Sequence, residues 1–202
     1  MYRIAPPQHV RTGTRPTAAA VENAVRTLLA ATGDDPTREG LTETPARVRR
    51  AYEEWFAGYE IDPAAVLSKQ FDAAGYGEAV VLRDIPLVST CEHHLAPITG
   101  VVHIAYCPSG RVVGISKLVR LVDAFARRLQ LQERLTNEIA NAIDVALTPR
   151  GVGVVAEASH GCMTTRGVNT PHVRMSTHCW IGSLNDDADL RGRLLAPRGR
   201  PA

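Results

Sequence analysis

The first third of the chain carries two amphipathic patterns with the period of an α-helix. The first pattern follows Thr17, ends at Gly33 and places four apolar residues on one face: Val21, Val25, Leu28 and Leu29. In the second, Thr44 is expected to cap a helix with Pro45 at its first position, before a buried stripe of Val48, Tyr52, Trp55 and Phe56. These patterns predict an N-terminal helical hairpin.

After about residue 77 the pattern changes to short β-rich runs. Val80 and Leu82 begin a strand that Pro86 is expected to interrupt or end. Further strands are predicted at 101–106, 111–115, 152–158 and 173–181. Between them, Ser116 is expected to cap one helix, and a second helix over 132–147 places on one face Leu135, Ile139, Ile143 and Leu147. Asn185 is expected to cap a short last helix.

Paired strands around a helix pair predict an α+β fold with an antiparallel sheet rather than alternating βαβ units. We divide the chain into a flexible leader, a helical region, a catalytic domain and a flexible tail, at 1–17, 18–76, 77–195 and 196–202. There is no glycine-rich phosphate loop of either common type. A nucleotide would therefore have to bind in another way.

Charge and composition narrow the function classes. The 23 basic and 21 acidic residues leave a net charge of +2, which predicts no bulk attraction to nucleic acid or to a membrane. No run of 18 apolar residues and no signal-peptide pattern occurs, so we expect a cytoplasmic protein. The four cysteines are then expected to be free thiols or metal-bound thiolates.

The densest cluster of possible metal ligands is Cys91-Glu92-His93-His94, and His160-Gly161-Cys162 adds a second thiol and imidazole. Cys91, His94 and Cys162 would form a catalytic site with one coordination position left for water, and His93 and His160 would be free to transfer protons. Two alternatives stay open: packed cysteines with no metal, or a closed structural zinc site with Cys107 or Cys179 as fourth ligand.

Two further groups could bind a substrate. Lys117 and Arg120 lie on one face of a helix start, where an anion on the exposed amides would explain two cations, and Arg166 could join them. Glu133, beside Gln132, could accept hydrogen bonds from a guanine edge. The alternatives are a solvated cation pair and a carboxylate that only favours the helix dipole.

Several separated segments together resemble the GTP cyclohydrolase I family. The resemblance covers roughly residues 18 to 195, and its segments are Asp35-Pro36-Thr37-Arg38-Glu39-Gly40-Leu41, Thr44-Pro45, Ser89-Thr90-Cys91-Glu92-His93-His94, Gly114-Ile115-Ser116-Lys117-Leu118, Gln132-Glu133-Arg134-Leu135-Thr136, His160-Gly161-Cys162-Met163 and Arg166-Gly167-Val168. Several motifs in the same order are far more specific than any one of them.

The resemblance implies the tunnelling fold, an antiparallel sheet with two long helices on one face, in a homo-oligomer that is usually a decamer of two stacked pentamers with active sites between subunits. It implies Zn²⁺ as cofactor and conversion of GTP and water to 7,8-dihydroneopterin triphosphate and formate, the first step of pterin biosynthesis. The implied ligands and roles are zinc on Cys91, His94 and Cys162; acid/base catalysis by His93 and His160, assisted by Ser116; triphosphate binding by Lys117, Arg120 and Arg166; and guanine recognition by Gln132 and Glu133.

Two alternative functions would use the same residues. A duplicated cyclohydrolase could feed deazapurine or secondary metabolism from the same first product. A non-catalytic, zinc-stapled nucleotide-binding ring would keep the ligands but would have no use for His93 and His160. His178 and Cys179 depart from the usual family pattern, and we expect a packed Cys179 and an interfacial His178, because neighbouring strand residues face opposite sides of a sheet.

Overall fold

The structure is a computed structural model, and it describes residues 14–196. Its helices are α1 (Ala18–Ala31), α2 (Thr44–Trp55), α3 (Pro63–Val66), α4 (Ile115–Ala126), α5 (Gln132–Leu147), α6 (Gly161–Thr164) and α7 (Ala188–Leu195). Its strands are β1 (Gln70–Asp72), β2 (Val80–Cys91), β3 (Pro97–Cys107), β4 (Arg111–Val113), β5 (Leu129–Gln130), β6 (Gly151–His160) and β7 (Met175–Gly182). Most of the predicted leader and tail lies outside the described residues.

Five strands form the main sheet in the order β5-β2-β3-β6-β7. All neighbours are antiparallel except β5, which pairs in parallel with the end of β2. The long helices α4 and α5 pack on one face, α4 on β2 and α5 on β6 and β7. The predicted face of α5 is fully buried there: Leu135, Ile139, Ile143 and Leu147. The predicted α+β arrangement is therefore confirmed, and burying each of these side chains stabilises the fold by about 1.5–3 kcal/mol.

The first helix begins directly after Thr17, whose hydroxyl caps it by accepting a hydrogen bond from the Ala20 amide at 3.2 Å. The three cap predictions are wrong. Thr44 is the first residue of α2 rather than its cap. Gly114, not Ser116, precedes α4. Asp187 rather than Asn185 caps α7, because its carboxylate accepts from the Leu190 amide at 2.8 Å.

Pro86 does not end its strand, which is a second correction. β2 continues to Cys91, and Pro86 lies opposite Val101 of β3. On its other side β2 is paired, within the described residues, only at Thr90 and Cys91, where β5 joins it. A proline lacks the amide donor and is tolerated within sheets mainly in strands that have an unpaired edge, as β2 has here.

The short strand β4 pairs with β1 and not with β3, although the turn signal Pro108-Ser109-Gly110 between β3 and β4 predicts a hairpin of these two strands. Val113 at its end donates its amide to the Tyr106 hydroxyl at 3.4 Å. The partner strand β1 lies about 40 residues earlier in the chain and has only three residues. Local sequence patterns do not reveal a pair of that kind.

The main sheet has two ends that matter below. At the His160 end, Ile98 lies opposite His160, and Thr90 lies opposite Pro97. At the Gly151 end, Cys107 lies opposite Gly151, and Val80 lies opposite Tyr106. At about 3.4 Å per residue, the 11 residues of β3 separate these ends by about 34 Å. Helix α5 begins at the His160 end, whereas α4, which follows β4, begins at the Gly151 end.

Candidate metal centre

A tight turn between β2 and β3 presents the first two ligands. The Cys91 amide donates to the Ala96 carbonyl at 2.8 Å, and the Leu95 amide donates to the Cys91 carbonyl at 2.9 Å. Leu95 adopts a left-handed backbone conformation with a φ of 52°. This turn brings the Cys91 Sγ and the His94 Nδ1 to 3.8 Å from each other.

The third ligand arrives from the end of β6. The strand passes through His160, and the single turn of α6 places Cys162 beside the loop. Gly161 allows this close approach, because a Cβ there would lie 3.0 Å from the Pro97 ring. The ligand atoms of Cys91, His94 and Cys162 all lie within 4.8 Å of one another.

Two thiols and one imidazole suit a zinc ion. Ligand bonds of about 2.0–2.3 Å to a tetrahedral ion put neighbouring ligand atoms about 3.5–4 Å apart, which matches the 3.8 Å between Cys91 and His94. Within residues 14–196 this is the one group of three such side chains with a common ligand point, and it includes neither Cys107 nor Cys179. The arrangement therefore fits a metal with three protein ligands and does not support the closed structural site.

Burial raises the pKa of the Cys162 thiol, and the neighbouring Cys91 raises it further, while Arg166 acts in the opposite direction. A thiol must lose its proton to bind a metal. Both effects favour the protonated Cys162 thiol until a cation offsets them, so metal binding here should release its proton.

His160 is held by the side chain of Gln132. The Gln132 Nε2 donates to the carbonyls of Ala156 at 2.9 Å and Met175 at 3.0 Å, and both of these oxygens can only accept. This fixes the amide orientation, so its Oε1 faces the His160 Nε2 at 2.8 Å. The Nε2 must therefore carry a hydrogen, and Nδ1 is the ring nitrogen left for other partners.

The two predicted acid/base histidines have different surroundings. Burial lowers the pKa of His160, and the charge of Glu133 partly opposes that effect. His93 is exposed, with its Nε2 3.9 Å from a Glu92 carboxylate oxygen. The position of Gln132 and Glu133 at the start of α5 predicts an exposed or interfacial site for both, but only Glu133 is exposed, whereas Gln132 is fully buried.

The chain does not bring all the predicted site residues together. Arg166 follows α6 at the His160 end, where its charge reaches Cys162. Ser116, Lys117 and Arg120 lie on the first turns of α4, at the Gly151 end of the sheet. A single subunit therefore separates these three from the metal centre by most of the length of the sheet.

The sequence reasoning gave no role to Arg134, whose guanidinium contacts the carboxylate of Glu92. The only available signal was that both residues belong to the segments that carry the site. Their contact joins the turn after β2 to α5, and a link between residues 42 positions apart has no local pattern.

Two further histidines and two further cysteines within residues 14–196 lie outside the metal cluster. His103 is buried, and its Nδ1 accepts the Asp84 amide at 3.0 Å. Cys107 is buried at the Gly151 end, as expected for a packed residue. Cys179 packs on the core, as predicted, and burial raises the pKa of its thiol. His178 is exposed, with its ring 5.4 Å from that of Trp180.

Comparison with known proteins finds relatives over most of the chain. The GTP cyclohydrolase 1 of Maricaulis maris is 52% identical over 183 residues, which are 90% of this chain and 89% of that protein. The GTP cyclohydrolase 1 of Hyphomonas neptunium is 53% identical over 182 residues, 90% of this chain and 88% of that protein. Among solved structures, an archaeosine synthase QueF-like protein in its apo form is similar at 21% identity and a TM-score of 0.43, over 52% of this chain and 94% of that one. The profile of the GTP cyclohydrolase I family matches residues 21–197, and the chain belongs to that family.

Proposed function

We propose that the protein is a zinc-dependent GTP cyclohydrolase I, which converts GTP and water to 7,8-dihydroneopterin triphosphate and formate. The observation that carries the proposal is the meeting of Cys91, His94 and Cys162 within 4.8 Å, from two segments about 70 residues apart. When bound there, a divalent cation supplies a Lewis acid that activates water at neutral pH.

His160 is the proposed acid for the guanine ring. Carbon 8 of guanine is a poor electrophile, and a proton on N7 makes it a better one. Because Gln132 occupies the Nε2 of His160, the nitrogen that exchanges a proton with substrate is Nδ1. The exposed His93, two residues from Cys91, is the proposed second acid/base for the later ring opening and rearrangement, which require several proton transfers.

Glu133 is the proposed guanine-binding carboxylate. It is exposed, it lies on the first turn of α5, and its charge reaches His160. A carboxylate can accept two hydrogen bonds from the N–H groups of a guanine edge. Gln132 resembles the second member of the recognition pair, but its amide is already committed to Ala156, Met175 and His160.

The triphosphate clamp is proposed to come from a second subunit. The side chains of Lys117 and Arg120 form no ion pair within residues 14–196, and they lie at the opposite end of the sheet from the metal centre. Ser116, the proposed assistant in the later rearrangement, lies there too. Arg166 is the proposed cation from the metal-bearing subunit. Composite sites of this kind require a homo-oligomer.

The subunit has surfaces that suit such an assembly. Along most of β2 the outer edge is unpaired within the described residues, and Val88 is 61% exposed there. Beside it, a groove of about 580 Å³ is lined in part by Trp55, Leu95 and Pro97. At the other edge of the sheet β7 has one neighbour among the described strands. Joining unlike edges head to tail can close a ring, as the proposed decamer of two stacked pentamers requires.

The proposal is tested by incubating GTP with the zinc-loaded protein and with the same protein after chelation. Formate and the fluorescence of the oxidised pterin are measured together. We expect both products in equal amounts from the zinc-loaded sample and neither after chelation. Tight GTP binding without formate would instead identify a nucleotide-binding ring and reject the enzyme. The cytoplasmic location and the pathway supplied stay predictions.

A further inference from the structure

The guanidinium of Arg134 lies between α5 and the loop that carries two of the metal ligands. Its Nη2 donates to the Glu92 carboxylate and also to the Leu129 carbonyl at 3.0 Å. Its Nε donates to the Gln130 Oε1 at 3.0 Å. Since Glu92 follows Cys91 directly, Arg134 holds the loop within one residue of a ligand.

A buried hydrogen-bond network around Gln130 fixes the orientation of Arg134. Gln130 is fully buried, and its Nε2 donates to the Phe125 carbonyl at 2.9 Å and to the Glu138 carboxylate at 2.8 Å. Both acceptors fix the Gln130 amide, so its Oε1 must face Arg134. A guanidinium held at Nε presents its remaining N–H groups in a fixed plane.

The loop that carries Cys91 and His94 has a backbone geometry that benefits from this support. Leu95 has a φ of 52°, a conformation that is unfavourable for a residue with a side chain. One backbone bond, from the Glu92 amide to the Gln130 carbonyl at 3.1 Å, ties the loop to β5. The side chains of Arg134 and Glu92 are each only 28% exposed, so solvent screens their charge-assisted bond less than it would a surface pair.

We propose that Arg134 is a positioning residue for the metal centre, and that through Glu92 it holds the loop from Cys91 to His94 in the geometry that binds the ion. The inference rests on the proposed metal site but not on the identity of the substrate. Partners that orient metal ligands contribute strongly to metal affinity.

The test measures Zn²⁺ affinity of the full-length protein by competition with a chromogenic chelator, in the absence of GTP. Arg134→Met is expected to weaken zinc binding by about 10- to 100-fold. Arg134→Lys should recover part of the loss, because one ammonium can reach Glu92 but cannot reproduce the fork. The matched control is Arg49→Met, which removes a 25% exposed arginine paired with Glu22 and Glu53 on the N-terminal hairpin; its zinc affinity should stay within about twofold.

A double-mutant cycle keeps the test informative if Arg134→Met folds poorly. Glu92→Gln alone should weaken zinc binding. The double variant Arg134→Lys/Glu92→Gln should lose less zinc-binding free energy than the sum of the losses in the two single variants. Unchanged zinc affinity in Arg134→Met, or an equal loss in Arg49→Met, would overturn the proposal. Failure of the unaltered protein to bind zinc would instead reject the metal site and, with it, the proposed function.

Discussion

Gln132 accepts a hydrogen bond from the Nε2 of His160 at 2.8 Å, and this contact determines which ring nitrogen carries the hydrogen. Gln132 lies on the first turn of α5, and His160 ends β6 two residues before Cys162. The helix that fills the core therefore also orients a side chain of the proposed active site.

The Gln132→Met variant should distinguish a role of Gln132 in positioning His160 from a role in binding GTP. Methionine keeps the length of the side chain but cannot accept from His160, so the ring loses its fixed tautomer and orientation. We expect kcat to fall about tenfold or more, with little change in the KM for GTP. Steady-state kinetics of the zinc-loaded enzyme give both constants.

The matched control for this variant is Thr136→Val, one turn further along α5. It removes a buried hydroxyl that donates to the backbone carbonyl of Gln132 at 2.8 Å and contacts the Thr177 hydroxyl at 2.7 Å, but it leaves the Gln132 side chain and its bond to His160 in place. Its kcat should stay within about twofold of the original, although it loses two buried hydrogen bonds. A rise in KM with unchanged kcat in Gln132→Met would indicate that Gln132 binds guanine rather than positioning His160.

Cys162→Ala should remove the metal and, with it, ring opening. Only two of the three ligands would remain, so we expect less than about a tenth of the bound zinc and no formate. Cys179→Ala is the matched control, because Cys179 is a partly buried thiol outside the cluster. Its zinc content, measured by atomic absorption, should equal that of the unaltered protein, and full turnover by Cys162→Ala would contradict the mechanism.

Hybrid oligomers should test whether the sites are shared between chains. Lys117→Ala/Arg120→Ala lacks the proposed phosphate clamp, and Cys162→Ala lacks the metal. Each homo-oligomer should be nearly inactive, but co-expressed hybrids should regain about a quarter of the formate release, because random mixing pairs an intact clamp with an intact metal centre at that frequency.

The same two proteins, purified separately and mixed without subunit exchange, provide the control and should stay inactive. Inactive hybrids, with mixed assembly verified by mass spectrometry, would show that each site is built within one chain. That result would contradict the placement of the clamp on a second subunit.

Gly100 should be indispensable for packing β3 against β6. A Cβ at this position would lie 2.0 Å from the Glu157 carbonyl oxygen, a backbone atom that cannot move aside. Gly100→Ala should destabilise the fold by about 3 kcal/mol or more. Gly192→Ala in α7 meets no atom within 4 Å and should instead stabilise by about 0.5–1 kcal/mol. Urea midpoints at one fixed protein concentration compare the two, and equal midpoints would contradict this account.

The sequence predicted elements whose cause is local. The spacing of Leu135, Ile139, Ile143 and Leu147 predicts α5, and the β-rich run at 152–158 predicts most of β6. The wrong predictions concern positions where a nearby residue or strand decides the outcome. Gly114, two residues before Ser116, already occupies the position before the helix. Pro86 lies where the outer edge of β2 has no partner strand among the described residues.

The site was predictable where the family motifs carry it and not where distant contacts decide it. The motifs predicted the three ligands that the structure brings together, and the two histidines whose catalytic roles stay predictions. The burial of Gln132 depends on carbonyls of β6 and β7, and the role proposed for Arg134 depends on a loop 42 residues away. The separation of Lys117 from the metal follows from the direction of α4, which the sequence alone did not predict.

X-ray absorption at the zinc edge of the loaded protein tests the central claim most directly. Two sulfur ligands at about 2.3 Å, one imidazole nitrogen at about 2.0–2.1 Å and one further light atom are expected. In Cys162→Ala one of the two sulfurs should disappear. A third sulfur, or a spectrum that Cys162→Ala leaves unchanged, would contradict the assignment of the ion to Cys91, His94 and Cys162.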